Sequence, residues 1–183
     1  MTTGQVHKGD AGRTETHSGR SVPKNDLRIE TLGEMDEVQS ILGIIRSVIK
    51  QKDTKKILVQ IQDDLRLIMG EISSEKMDPS NAQSFDDTFL TKLEEGIQTY
   101  QTQDEPPRGF VTSGDDLTSA MIDLGRTITR RAERRTVAAY RARIICNPSI
   151  LKYVNRLSTF LYYLEIHEMN QAKNQRPKHG YIV

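Results

Sequence analysis

DDLTSAMIDLGRTITRRAERRTVAAYRARII, residues 115–145, is the stretch on which the fold turns. It reads as one long helix. On a helical wheel Leu117, Met121, Leu124, Ile128, Ala139 and Cys146 fall on one stripe, expected to face a core. Arg126, Arg130 and Glu133 lie roughly opposite, flanked by Ile122 and Val137. Arg131 and Arg135 lean toward the apolar stripe, so they need carboxylates or a ligand there, or must snorkel outward. Between positions 126 and 143 stand seven arginines and one acid. Intrahelical pairs such as Arg130 with Glu133 contribute only about 0.2–0.5 kcal/mol each and cannot neutralise that surplus. Carboxylates from elsewhere, or a bound anion, must do so.

Other helices flank this one. From Asp26 onward Ile29, Leu32, Val38, Ile41, Leu42, Ile45, Val48 and Ile49 recur at helical spacing, with Gly33 and Asp36 interrupting the first half. A second helix is expected from an Asp53 or Thr54 cap to about Ile72. MDPSNAQS, residues 77–84, reads as a loop. A third helix runs from about Asp86 to Thr102. DEPPRG, residues 104–109, breaks the chain. Asn147 caps a fifth helix that begins at Pro148 and continues to about Met169. No strand pattern of useful length competes. Five helices with short connections predict an all-α, antiparallel bundle over residues 26–170. Residues 1–25 form a polar, glycine-containing leader that composition alone makes a disordered tail. Residues 171–183 form a C-terminal tail in which Tyr181, Ile182 and Val183 are positioned to dock.

Composition narrows the functional classes. The net charge of +1 argues against a polycation built for nucleic acid. The single cysteine, Cys146, cannot form an internal disulfide, which fits a reducing cytoplasm. No apolar run approaches the length of a membrane span. The four histidines have no zinc spacing, and the inward Glu-x-x-His pairs of a di-iron bundle are absent, so no protein-held metal is expected.

The arginine surplus fits three anionic partners: a polyphosphate, an acidic protein surface, or RNA. Guanidinium forks match phosphate oxygens in geometry. RNA is disfavoured because aromatic side chains for base stacking are not interleaved with the arginines. KGDAGRT, residues 8–14, is a second anion-binding feature, since glycines let backbone N–H groups turn toward phosphate oxygens. It lacks the order of a Walker A loop. Lys24 lies just downstream. A non-catalytic helical module that binds RNA or an acidic partner through the arginine helix is the alternative from a different class.

Several blocks, in order, resemble the PduO-type ATP:cob(I)alamin (corrinoid) adenosyltransferases. KGDAGRT resembles the family's T-G-D-x-G-x-T nucleotide segment. RIETLGEMDEVQSILG, residues 28–43, resembles its first helix, and IQDDL, residues 61–65, its second. FVTSGDDLTSAMIDLGRTITRRAERR, residues 110–135, resembles its arginine-rich signature. YVNRLSTFLY, residues 153–162, resembles its Y-[LIV]-N-R-L-S block. The resemblance implies a four-helix-bundle-like, ferritin-like fold assembled as a homotrimer, with the active site between subunits. It implies transfer of the 5′-deoxyadenosyl group of ATP to Co(I) of a reduced corrinoid, with Mg²⁺ carried mainly by the phosphates. A reductase and a cobalamin-dependent acceptor enzyme are implied partners.

Carried over by position, the resemblance implies that Lys8, Gly9, Thr14 and Lys24 wrap the phosphates. The leader would then be a flexible lid that orders on ATP. Arg130, Arg131 and Arg134 would contact the nucleotide, Glu133 would orient the arginines or bind ribose, and Asn155 would reach the nucleotide. Asp36 would pair with Arg126 of a neighbouring subunit. Phe110 would sit under the corrin and displace the lower axial ligand. Three departures stand out. Lys8 replaces a threonine, TSGDD (residues 112–116) stands where the family has a proline and two glycines, and Gly125 replaces an alanine. The last loosens a helix by up to about 1 kcal/mol.

Overall fold

The computed structural model of the chain describes residues 9–74, 85–107, 109 and 111–175. Lys8, Phe110, the expected loop at 77–84 and the docking tail Tyr181–Val183 lie outside the described residues. Five helices follow a short hairpin: α1 Leu27–Val48, α2 Lys52–Ser73, α3 Asp87–Gln103, α4 Leu117–Arg141 and α5 Pro148–Gln175. Strands β1 Arg13–Glu15 and β2 Ser21–Pro23 pair antiparallel, with Thr14 opposite Val22. The leader therefore carries local order that its polar composition does not predict. The hairpin is held by Arg13, whose guanidinium donates to Ser21 Oγ at 3.0 Å and to Ser21 O at 2.9 Å.

Side-chain caps set most helix starts. Asp26 Oδ1 accepts from Arg28 N at 2.9 Å, and Asp116 Oδ2 accepts from Ser119 N at 2.9 Å. Asn147 Oδ1 accepts from Ser149 N at 3.0 Å, as the sequence predicts. The expected cap of α2 is corrected. The helix starts at Lys52, and Thr54 instead shares a 2.8 Å hydrogen bond with Tyr100 Oη in the interior. Helix α4 stops earlier than expected because Arg143 adopts φ +58°, and Ile144 N returns to Ala139 O at 2.9 Å. Helix α5 runs past Met169 to Gln175.

Contacts order the helices α2–α1–α4–α5–α3, and a smaller α2–α3 contact closes the ring. Neighbours run antiparallel with one exception. Asp87 meets Ser149 and Asp104 meets His167, so α3 and α5 are parallel. Five alternating helices closed into a ring must contain one such pair. In consequence the α3–α4 connection, residues 104–116, crosses over α5 near its C-terminal half.

The core face of α4 differs from the wheel expectation. Leu117 and Leu124 are 63% and 48% exposed, and Cys146 is exposed, whereas Ile122 is fully buried. The buried face is Ser119, Ile122, Gly125, Ile128, Thr129, Ala132, Thr136 and Ala139. α4 lies between α1 and α5, so small residues let both neighbours approach closely. A Cβ on Gly125 would stand 2.7 Å from Ile45 Cδ1. Glycine there accommodates the Ile45 side chain. Thr129 and Thr136 are buried with their hydroxyls donating to Gly125 O and Ala132 O, each at 2.8 Å.

Candidate active site

The arginines of α4 divide into two groups. Arg131 Nε donates to Glu34 Oε2 at 2.7 Å, and its Nη2 donates to Glu37. Arg135 pairs with Glu30 at 3.1 Å. Glutamates at 30, 34 and 37 share one face of α1, and antiparallel packing sets that face against 135 and 131. The hydrogen bonds that Arg131 donates to Glu37 and Glu34 raise its pKa above the ordinary value. Arg126 is matched within its own chain. Asp123 Oδ1 accepts from its Nε at 2.9 Å and its Nη2 at 2.6 Å, and buried Glu165 lies 3.7 Å away.

Arg130, Arg134 and Arg141 form the second group, and within it Arg130 and Arg134 stand one turn apart. Both are exposed, and neither has a carboxylate partner among the described residues. Arg134 Nη1 donates to Arg130 O at 3.1 Å. A cationic pair left unmatched on one helix face, beside three arginines that are matched, is where an anion gains most.

Glu133 does not pair with Arg130. Its Oε1 accepts from Asn155 Nδ2 at 2.8 Å, while Asn155 Oδ1 accepts from Arg156 Nη1 at 3.1 Å. Arg156 Nε is anchored in turn on Glu94 Oε1 at 3.0 Å. The network Glu94–Arg156–Asn155–Glu133 thus joins α3, α5 and α4, and it orients the Asn155 amide next to the unmatched arginines.

The leader loop is folded for close backbone approach. Gly9 has φ +104° and Gly12 φ +71°, conformations that favour glycine. Gly12 N donates to Gly9 O at 3.1 Å, and Lys24 N donates to Gly12 O at 2.8 Å. Lys24 Nζ would lie 3.2 Å from a Cβ on Gly9, so the ammonium hangs over the loop. Thr14 sits mid-strand, half-buried. Gly9 and Lys24 are brought together, and Thr14 pairs with Val22 in the hairpin that follows. Among the described residues the principal interhelical contacts do not include the hairpin, and no hydrogen bond or ion pair joins Gly9, Thr14 or Lys24 to Arg130 or Arg134. Asp36 is exposed on α1 and has no in-chain bond to Arg126.

A cavity of about 490 Å³ opens beside Arg126, lined by Gly109, Val111, Asp123, Arg126, Tyr162 and Glu165. Gly109 and Val111, the sequence neighbours of Phe110, both line this space. Glu165 is buried in its wall, and burial, with Asp123 nearby, pushes its carboxyl above the usual carboxylate range. Sequence reasoning missed Ser113, Asp123 and Glu165 as a cluster. It also missed the glutamates that match Arg131 and Arg135, although their 30, 34, 37 spacing on one helix face was a usable signal. Among the described residues no group of His, Cys, Asp and Glu is suited to hold a metal. None of the helices is long and apolar enough to cross a membrane.

The family model for cobalamin adenosyltransferase matches residues 5–168. A corrinoid adenosyltransferase of Mycobacterium leprae is 33% identical over 176 residues, covering 90% of each chain. The corrinoid adenosyltransferase PduO of Citrobacter freundii is 32% identical over 167 residues, 89% of this chain and 50% of that relative. The chain thus spans about half the length of that relative. Among solved structures, a phenylalanine-to-alanine variant of the PduO-type ATP:corrinoid adenosyltransferase from Lactobacillus reuteri, complexed with cobalamin and ATP, superposes with a TM-score of 0.83. It is 27% identical, and the match covers 92% of this chain and 94% of that one. An arginine-to-lysine variant of the same enzyme, complexed with ATP, gives a TM-score of 0.81. With the matched region running from the leader hairpin through four helices and most of α5, this chain belongs to the cobalamin adenosyltransferase family.

Proposed function

We propose that the chain transfers the 5′-deoxyadenosyl group of ATP to Co(I) of a reduced corrinoid, releasing triphosphate. The observation that carries this is the unmatched pair Arg130 and Arg134, beside an oriented Asn155–Glu133 contact, in a chain of this family. In this reaction the substrate cobalt is the nucleophile at the ribose 5′ carbon, and the whole triphosphate departs with its charge. The protein's part is to place ATP and hold that charge. Arg130 and Arg134 bind phosphate oxygens. Arg131 is fixed between Glu34 and Glu37, so it contributes through its field and any remaining donor. Glu133, oriented by Asn155, accepts from ribose hydroxyls. Lys8, Gly9, Thr14 and Lys24 close on the phosphates from the leader of a neighbouring protomer.

On this reading the assembly is a homotrimer, Asp36 of one protomer approaches Arg126 of the next, and Phe110 contacts the corrin face. Magnesium enters with the triphosphate, since it is a hard cation that takes oxygen ligands and the described residues offer no carboxylate cage. The reaction belongs in the cytoplasm, fed by a reductase that delivers Co(I), with a cobalamin-dependent enzyme as acceptor. Family membership favours this over a non-catalytic module binding RNA or an acidic partner. The test mixes the pure protein with ATP, Mg²⁺ and chemically reduced cobalamin. A light-sensitive alkylcobalamin spectrum is expected. Its absence with folded protein overturns the proposal.

A further inference from the structure

The α3–α4 connection crosses α5, and one residue of it is tied down by two carboxylates. Ser113 Oγ donates to Asp123 Oδ2 at 2.7 Å and lies 3.2 Å from Glu165 Oε1. Asp123 is on α4 and Glu165 on α5, so a single hydroxyl joins the connection to both helices. Glu165 is 1% exposed. Ser113 stands within the TSGDD segment, where the resemblance places a proline that has no hydroxyl to donate.

The groups facing Glu165 are Ser113 from the connection, Asp123 and Arg126 from α4, and Tyr162 from its own helix, which lines the same cavity. Arg126 is held closely by Asp123 and only at 3.7 Å by Glu165. One hydroxyl carries one proton and cannot donate to both acids at once. The Ser113 hydroxyl is therefore shared between the two carboxylates, with the shorter contact to Asp123, while burial and the nearby Asp123 favour the protonated form of Glu165. Val111, two residues before Ser113, lines the cavity between α4 and α5.

We propose that Ser113, Asp123 and Glu165 form a latch that holds residues 111–116 over α5, making Ser113 and Glu165 positioning residues for the corrinoid rather than for ATP. The kinetic part rests on the adenosyl-transfer reading. The latch itself rests on geometry alone. Glutamine at 165 can still donate toward Ser113, whereas leucine of similar size cannot.

The experiment compares the parent protein with Ser113→Ala, Glu165→Gln and Glu165→Leu. Amide hydrogen exchange over residues 111–116 reads the latch. KM for chemically reduced cobalamin and for ATP reads its consequence. Ser113→Ala and Glu165→Leu are expected to speed exchange and raise the corrinoid KM by roughly tenfold, the scale of one lost hydrogen bond. ATP KM stays unchanged, and Glu165→Gln stays within about twofold of the parent on every measure. Parent-like exchange in Ser113→Ala overturns the latch. Faster exchange with an unchanged corrinoid KM, or with both KM values rising together, overturns the positioning role. An inactive parent overturns the adenosyl-transfer reading, while the exchange measurement still decides the latch.

Discussion

Replacing Arg130 by alanine separates a ligand-binding arginine from a structural one. Arg130 is exposed and has no carboxylate partner among the described residues, so truncation removes no internal contact. Folding stability is expected to move by no more than about 0.5 kcal/mol. If the guanidinium holds the triphosphate, each lost charged hydrogen bond costs about 1.5–3 kcal/mol of binding or transition-state stabilisation. At about 1.4 kcal/mol per decade, kcat/KM falls roughly ten- to hundredfold per bond. Arg131→Ala is the control. Its guanidinium is 43% exposed between Glu34 and Glu37, and exposed pairs contribute only about 0.2–1 kcal/mol each. That variant should lose about 1 kcal/mol of stability, a fall of about 2–4 °C in Tm. The assay is formation of alkylcobalamin at varied ATP, beside thermal unfolding of each variant. If Arg130→Ala keeps the parent's kcat/KM, or loses it only in step with Tm, the division of the arginines into matched and unmatched groups is wrong.

Other variants probe separate contacts. Tyr153 Oη donates to Asp64 Oδ2 at 2.7 Å in the interior, and Gln60 Nε2 donates to Oδ1 at 2.8 Å. Tyr153→Phe strands one carboxylate oxygen and should cost about 1.5–3 kcal/mol, a drop of about 3–12 °C; an unchanged Tm means Asp64 has another donor. Glu165 and Glu168 both have carboxyls raised mainly by burial. The folded state therefore binds more protons than the unfolded state, so stability falls as pH climbs from the ordinary carboxylate range through the raised values. Glu165→Gln should flatten part of that slope in denaturation at stepped pH, and an identical slope counts against a protonated Glu165. Gly9→Ala imposes a side chain at φ +104° beside Lys24 Nζ, a strain of about 1–2 kcal/mol. The KM for ATP should rise severalfold with corrinoid KM unchanged, and a parent-like ATP KM would remove Gly9 from the phosphate loop.

The helices were legible because their signals are local. Asp26 and Asn147 cap where they stand, and apolar spacing marks α1, α2, α3 and α5. The face of α4 was legible only in part: Ile128 and Ala139 are buried as expected, but Gly125, Thr129, Ala132 and Thr136 on the same core side carry little hydrophobic signal. Large residues such as Leu117 and Leu124 dominated the wheel and yet are exposed. The need for carboxylates near Arg131 and Arg135 was readable, but their source on α1 depends on helix pairing, which is non-local. The Ser113–Asp123–Glu165 contact spans three distant segments, and nothing in any one of them announces it. The hairpin escaped detection because strands as short as Arg13–Glu15 have no periodicity to read.

The odd number of helices has a practical corollary. α1 and α5 point the same way, so polypeptide enters the bundle at one pole and leaves at the other. Over the 28 residues of α5 that separation is about 42 Å. A fluorophore attached at Gln175 would thus sit, within one subunit, far from the end where the leader joins α1.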